Sequence, residues 1–229
     1  MSIHDEQRLR ELTAAFLEEN AKLNLSALRT EEACWIGNVL DSLPFLEVLP
    51  QLGEVRAVAD VGTGGGFPLL PLAMALPDVT FTGIDSTGKK IDAIGRIAGK
   101  MGLKNVRLVA ERAEVLGRDA AHRERYDVVL ARAVAPLVTL LEYASPLARD
   151  GGHLVLWKSL HIEQEAQDSL HARSELSVKQ IATHRYTLPG DWGERQLLVF
   201  RKTSPLSERY PREVGMPKGH PLLGPVARP

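Results

Sequence analysis

Ala57-Val58-Ala59-Asp60-Val61-Gly62-Thr63-Gly64-Gly65-Gly66 decides how this chain is read. An apolar strand runs directly into a glycine-rich turn, and a second strand, Val79-Thr80-Phe81-Thr82-Gly83-Ile84, ends in Asp85. Strand, glycine loop, helix, strand and terminal acid form the signature of a site for a nucleoside-bearing cofactor. Glycines remove Cβ atoms so that backbone can approach the ligand, and the acid accepts hydrogen bonds from ribose hydroxyls. A glycine-rich turn alone also serves as a plain tight loop; Asp85 at the end of the next strand favours the cofactor.

The glycine spacing selects among cofactors. A dinucleotide loop reads Gly-x-Gly-x-x-Gly, with its last small residue letting a helix pack close. Here position 67, where that pattern wants Gly or Ala, is Phe67, followed by Pro68, a residue suited to a first helical turn. The run Gly62, Gly64, Gly66 fits Gly-x-Gly-x-Gly, the pattern of S-adenosylmethionine enzymes.

Outward from this stretch the chain alternates. Strands are expected over 56–61, 79–84, 105–109, 126–131 and 152–157, with helices at about 68–76, 87–101, 136–148 and 162–172, a pattern that makes a parallel doubly wound sheet. Residues 178–187 and 195–202 are strand-like with only 188–194 between them, too short for a helical crossover, so they pair antiparallel. The expected fold is α/β: a Rossmann-like methyltransferase fold, mostly parallel and seven-stranded, closed by an antiparallel hairpin. Before it, Leu9, Leu12, Phe16, Leu17 and Leu23 have helical spacing, and Thr30-Glu31-Glu32 reads as the cap of a second helix running to about Leu49. The division expected is a helical extension (1–50), a methyltransferase domain (51–202) and a basic, proline-rich tail (203–229).

Composition narrows the classes. With 229 residues, 44% hydrophobic and 25% charged, the chain supports one sizeable globular core. No run of 18 apolar residues exists for a membrane span, and the first ten residues lack the apolar stretch of a secretory signal. One cysteine, Cys34, suits a reducing compartment, so a cytoplasmic location is expected. There is no Cys/His cluster for zinc, and His153, His161, His171 and His184 lack ligand spacing; no metal is expected. Net charge is −1, but residues 1–50 carry four Lys/Arg against nine Asp/Glu, and residues 195–229 carry seven against two. The basic end, with six prolines after Ser204, is either a partly mobile solubilising tail or an arm that meets phosphates.

Several further segments stand in a telling order: Asn24-Leu25-Ser26, Val39-Leu40-Asp41-Ser42-Leu43, Asp60 through Pro68, Asp85-Ser86-Thr87-Gly88-Lys89-Lys90, Arg132-Ala133-Val134-Ala135, Lys158, and Tyr210-Pro211-Arg212 through Gly215, Pro217 and Pro221-Leu222. In this the chain resembles the small-subunit ribosomal RNA methyltransferase G family, also called glucose-inhibited division protein B, over about residues 20–223. The resemblance implies transfer of a methyl group from S-adenosylmethionine to N7 of one guanine in the decoding region of 16S ribosomal RNA. The acceptor would be that RNA or the assembling small subunit, and the enzyme a monomer with no membrane partner. It also implies cofactor contacts at Gly62, Gly64, Gly66, Phe67, Asp85, Ala113, Glu114 and Arg132, with Arg132 orienting guanine or cofactor and no general base, and RNA contacts at Lys158, Arg212 and Lys218. Lys89 and Lys90 are weaker RNA candidates. Removing the tail after Lys202 is then expected to weaken RNA binding and leave cofactor affinity intact. Asp41 is expected to cap or bridge the helical preface to the core, and Trp35, Trp157 and Trp192 to act as anchors.

The sequence departs from the family at Gly37-Asn38, where Arg-His is usual, at Glu19, where Trp is common, at Gly65, where Pro is frequent, and at Ser159, where Gly follows the lysine. Most of these fall on the presumed RNA face. A small-molecule S-adenosylmethionine-dependent methyltransferase is the alternative, because fold alone does not name a substrate.

Overall fold

A computed structural model describes residues 3–224. One seven-stranded sheet has the order β3-β2-β1-β4-β5-β7-β6. Its strands are β1 (Ala57–Val61), β2 (Thr80–Asp85), β3 (Val106–Ala110), β4 (Tyr126–Arg132), β5 (Ala148–Lys158), β6 (Val178–Thr187) and β7 (Glu194–Lys202). The first five pair in parallel and β7 runs antiparallel between β5 and β6. β1 and β4, at the centre, are buried on both faces, which is why they read as near-continuous apolar runs. The order reverses at β1, so the carboxyl ends of β1, β2 and β4 open a crevice there.

The preface begins with α1 (Ile3–Leu23), which buries Leu9, Leu12 and Phe16 in the same core as strand residues Val58, Phe81 and Val128. The second helix expected from Thr30 to about Leu49 is not continuous. Thr30 caps α2 (Glu31–Cys34) as anticipated, its hydroxyl accepting from Ala33 N–H. The chain then widens over Trp35–Val39, tightens over Leu40–Ser42, and resumes as α3 (Phe45–Val48) and a turn at Leu49–Gln51. The widened turn turns Gly37 against Trp192, where a Cβ would lie 2.5 Å from the ring. It also leaves the Gly37 and Asn38 carbonyls available to Arg132.

α4 (Leu69–Ala75) follows the glycine loop, with Pro68 just ahead of it on a cis bond to Phe67. α5 (Gly88–Lys100) turns Ile91, Ile94 and Ile97 inward at helical spacing. After α6 (Ala113–Leu116), α7 (Leu137–Ala144) is shorter than the sequence suggested, ending ahead of Pro146, and the single helix expected at 162–172 is split into α8 (Glu163–Asp168) and α9 (Leu170–Glu175). The last helix is the single turn α10 (Met216–Gly219). Outside α10, residues 203–224 are irregular, as expected, but they are fastened to the fold: Arg123 donates to the carbonyls of Leu206, Ser207 and Tyr210, and Leu206 and Tyr210 are buried. Two cations of this basic end are held in ion pairs, Arg209 on Glu175 and Arg212 on Glu142.

Candidate methyl-donor site

A cavity of about 590 Å³ lies at the carboxyl ends of β1, β2 and β4. The glycine loop forms its floor. Gly64 holds φ +56°, and a Cβ there would meet nothing nearer than the Gly62 carbonyl at 3.7 Å, so this glycine leaves space that any other residue would fill. Gly65 is required differently: its Cβ would lie 2.8 Å from the Phe16 ring, which α1 lays against the loop. Phe16 in turn meets Phe67 edge-on with ring centres 5.0 Å apart. The departure at Gly65 is therefore matched by a close-packed aromatic pair.

Asp85 is anchored by two backbone amides. Its Oδ2 accepts from Gly64 N–H at 3.1 Å and its Oδ1 from Thr87 N–H at 2.9 Å, which fixes the carboxylate between loop and α5. An ionised carboxylate accepts about four hydrogen bonds, so each oxygen keeps capacity for a ligand hydroxyl. A space-leaving glycine beside such an acid fits a nucleoside-bearing ligand, and ahead of α4, the helix after β1, Phe67-Pro68 stands where the Gly-x-Gly-x-x-Gly pattern needs a small residue.

Below the loop, Asp60 is fully buried, and neither of its carboxylate oxygens, nor the Thr63 hydroxyl, has a partner with hydrogen-bond geometry. Burial pushes its carboxyl up to about 7; the nearby Thr63 hydroxyl, the Arg132 charge and the Leu69 N–H offset only part of that.

Arg132, at the end of β4, lines the cavity, and its fork is spoken for by the preface. Nη1 donates to Asp41 Oδ2 at 2.9 Å and to the Gly37 carbonyl at 3.1 Å, and Nη2 donates to Asn38 Oδ1 at 3.2 Å. Asp41 also accepts from the Tyr186 hydroxyl at 2.7 Å, and its carbonyl accepts from Trp157 Nε1 at 2.7 Å. Burial and the Asp41 carboxylate hold the Tyr186 phenol well above its ordinary pKa, so it remains a donor. Asp41 thus bridges preface, β5 and β6, the bridging role expected of it.

Of the residues expected to touch the cofactor, Gly62, Gly64, Phe67, Asp85, Ala113, Glu114 and Arg132 line this cavity. Gly66 does not; its φ of +89° turns the chain behind the loop, where Leu70 would collide with a side chain. Among the expected RNA contacts, Lys218 lines the cavity. Lys158 is held by Glu165 at 2.6 Å and the Ala135 carbonyl at 3.1 Å, and Arg212 by Glu142 at 2.7 Å. Both are therefore placed as internal ion pairs, a role that sequence position does not distinguish from a phosphate contact. Leu25, Ser26, Asn38, Lys90, Arg112 and Tyr143 also line the cavity. Leu25 and Ser26 lie in the Asn24-Leu25-Ser26 run that carries part of the family resemblance but no expected site role; Tyr143 carried no local signal, because only the docking of α7 brings it there.

The GidB family model, described as rRNA small subunit methyltransferase G, matches residues 5–196. The chain belongs to this family. The ribosomal RNA small subunit methyltransferase G of Deinococcus radiodurans is 42% identical over 220 residues, covering 96% of this chain and 86% of that protein. The protein of the same name from Exiguobacterium sp. is 38% identical over 207 residues, covering 90% and 87%. Among solved structures, a 16S rRNA (adenine(1408)-N(1))-methyltransferase from Catenulisporales acidiphilia superposes with a TM-score of 0.53 at 18% identity, over 72% of this chain and 93% of that one. A ribosomal protein L11 methylase from Lactobacillus delbrueckii gives 0.52 at 19% identity, over 71% and 77%. These two establish the fold. As a GidB-family methyltransferase, the chain takes S-adenosylmethionine as its methyl donor.

Proposed function

We propose that this GidB-family chain methylates N7 of a guanine in the decoding region of 16S ribosomal RNA, acting in the cytoplasm as a monomer on the RNA or on the assembling small subunit. The observation that carries the reading is the Asp85 carboxylate, tied down by Gly64 and Thr87 at one wall of a cavity whose opposite wall holds Arg132.

Bound S-adenosylmethionine supplies a methyl group activated by a sulfonium. The protein's task is then placement. Guanine N7 already carries an in-plane lone pair and needs no general base, so what Gly64, Asp85 and Arg132 contribute is alignment at about 3 Å in line with the breaking bond. Asp85 grips the sugar hydroxyls. Arg132 holds the Gly37–Asp41 turn against the cavity mouth through its bonds to the Gly37 carbonyl and the Asp41 carboxylate. Lys90, Arg112 and Lys218 give the cavity a basic rim suited to RNA phosphates flanking a base that enters it.

Incubation with methyl-labelled S-adenosylmethionine tests this, with 16S RNA from cells lacking the modification, 23S RNA and a deproteinised small-molecule extract as competing acceptors. Label recovered as 7-methylguanosine from one 16S position supports the reading. Label on a small metabolite and none on RNA would replace it with the small-molecule alternative.

A further inference from the structure

The family match ends at residue 196, yet Lys218 forms part of the cavity wall. The segment that carries it is built into the fold. Glu142 on α7 is 1% exposed in its side chain, and Arg212 meets it with backbone N–H, Nε and Nη2 at 2.7–2.9 Å. A carboxylate so buried depends on its partner, because removing one member leaves an uncompensated charge. Eight residues on, the same Nη2 donates to the His220 carbonyl at 2.7 Å, closing a loop around α10. Inside that loop, Thr139 on α7 donates its hydroxyl to the Pro217 carbonyl at 3.1 Å.

The same segment braces α6. Gly215 N–H donates at 3.0 Å to Oε1 of Glu114, a buried carboxylate that lines the cavity. Pro211 packs on Gly117 so closely that a Cβ there would lie 2.9 Å from its ring. Glu114 and Ala113 therefore stand between the cavity and the C-terminal segment, and the orientation of Glu114 is set by a backbone amide lying a hundred residues away in sequence.

We propose that Arg212 is a positioning residue for the methyl donor: by clamping Glu142 it docks residues 204–224 against α6 and α7, so that the end of the chain fixes Glu114 and supplies one wall of the donor cavity. This rests on the cavity being the donor site. It reverses the expectation that removing the tail spares cofactor affinity. Docking of the segment and binding of the donor are then coupled, and the coupling is reciprocal.

Two experiments on the full chain test the proposal, with S-adenosylhomocysteine as the probe. In calorimetry, Arg212→Ala and Glu142→Gln each weaken its binding at least tenfold, and the double variant is no weaker than the worse single, while circular dichroism shows the sheet intact. In the wild type, which removes any question of a variant's folding, the ligand slows hydrogen exchange at amides 206–217. Arg212→Ala binding the ligand within twofold of wild type, or tail exchange indifferent to the ligand, overturns the proposal. So does an RNA-binding salt slope reduced by about one in Arg212→Ala with ligand affinity intact, which would make Arg212 a phosphate contact. A wild type that ignores the ligand altogether would instead remove the donor-site reading beneath it.

Discussion

Arg132 Nη1 lies 2.9 Å from Asp41 Oδ2, joining the carboxyl end of β4 to the helical preface across 91 positions of sequence. Both side chains are largely buried, at 14% and 13% exposure, so neither charge has bulk water to fall back on. Breaking such a pair from one side costs about 3 kcal/mol. Asp41→Ala and Arg132→Ala are expected to lower stability by that order in urea melts and to cut 16S RNA methylation at least tenfold. The double variant should be no worse than the more severe single, because the two act as one latch. Unchanged turnover in Arg132→Ala would remove it from the site.

Asp60 gives the protein a pH dependence of unusual sign. Its carboxyl has an ordinary value of 3.8 and is held at about 7 in the fold. Between those values the unfolded chain has released this proton and the folded chain keeps it, so stability falls as pH rises through the window and levels above it. Asp60→Asn keeps the neutral shape and removes the titration. It is expected to match the wild type near pH 4 and to melt higher at pH 8; parallel melting curves across that range would show that Asp60 does not titrate between folded and unfolded states.

Glu19 titrates the opposite way. The Arg96 guanidinium, with Lys22, holds its carboxyl down from 4.5 to about 2. Its contribution is complete above pH 4.5 and is lost as pH falls toward 2. Arg96→Ala should loosen α1 from α5 at neutral pH and move acid unfolding to higher pH, followed by far-ultraviolet circular dichroism. An unmoved acid midpoint would mean the pair does not fasten the preface.

Gly64→Ala separates pocket from fold. At φ +56° the added methyl costs about 1 kcal/mol in backbone strain, and it projects where no other atom lies within 3.7 Å. A modest drop in melting temperature with at least a tenfold loss of S-adenosylhomocysteine affinity is expected. Retained affinity would mean that the space above Gly64 is not used by the donor.

The sheet was legible because its signals are local. β1 and β4 announce themselves as apolar runs, and Asp85 terminates β2 at the residue that anchors the Gly64 amide. Broken local regularity was not. The preface reads as one helix from Thr30 because Thr30-Glu31-Glu32 is a local cap signal, but Gly37 lets it widen against Trp192, a residue 155 positions later whose approach no local pattern records. Likewise Lys158 and Arg212 look like free cations in sequence; Glu165 and Glu142 claim them only once α7 and α8 fold over the sheet. Charge composition shows how many cations a segment has. Their partners are a property of the tertiary fold.

The donor site itself is tested most directly by calorimetric titration of S-adenosylhomocysteine and, side by side, NAD into the wild-type chain and Asp85→Ala. One S-adenosylhomocysteine per wild-type chain is expected, weakened at least tenfold by the substitution, with no heat from NAD. A wild type that binds NAD and ignores S-adenosylhomocysteine would contradict the account at its root.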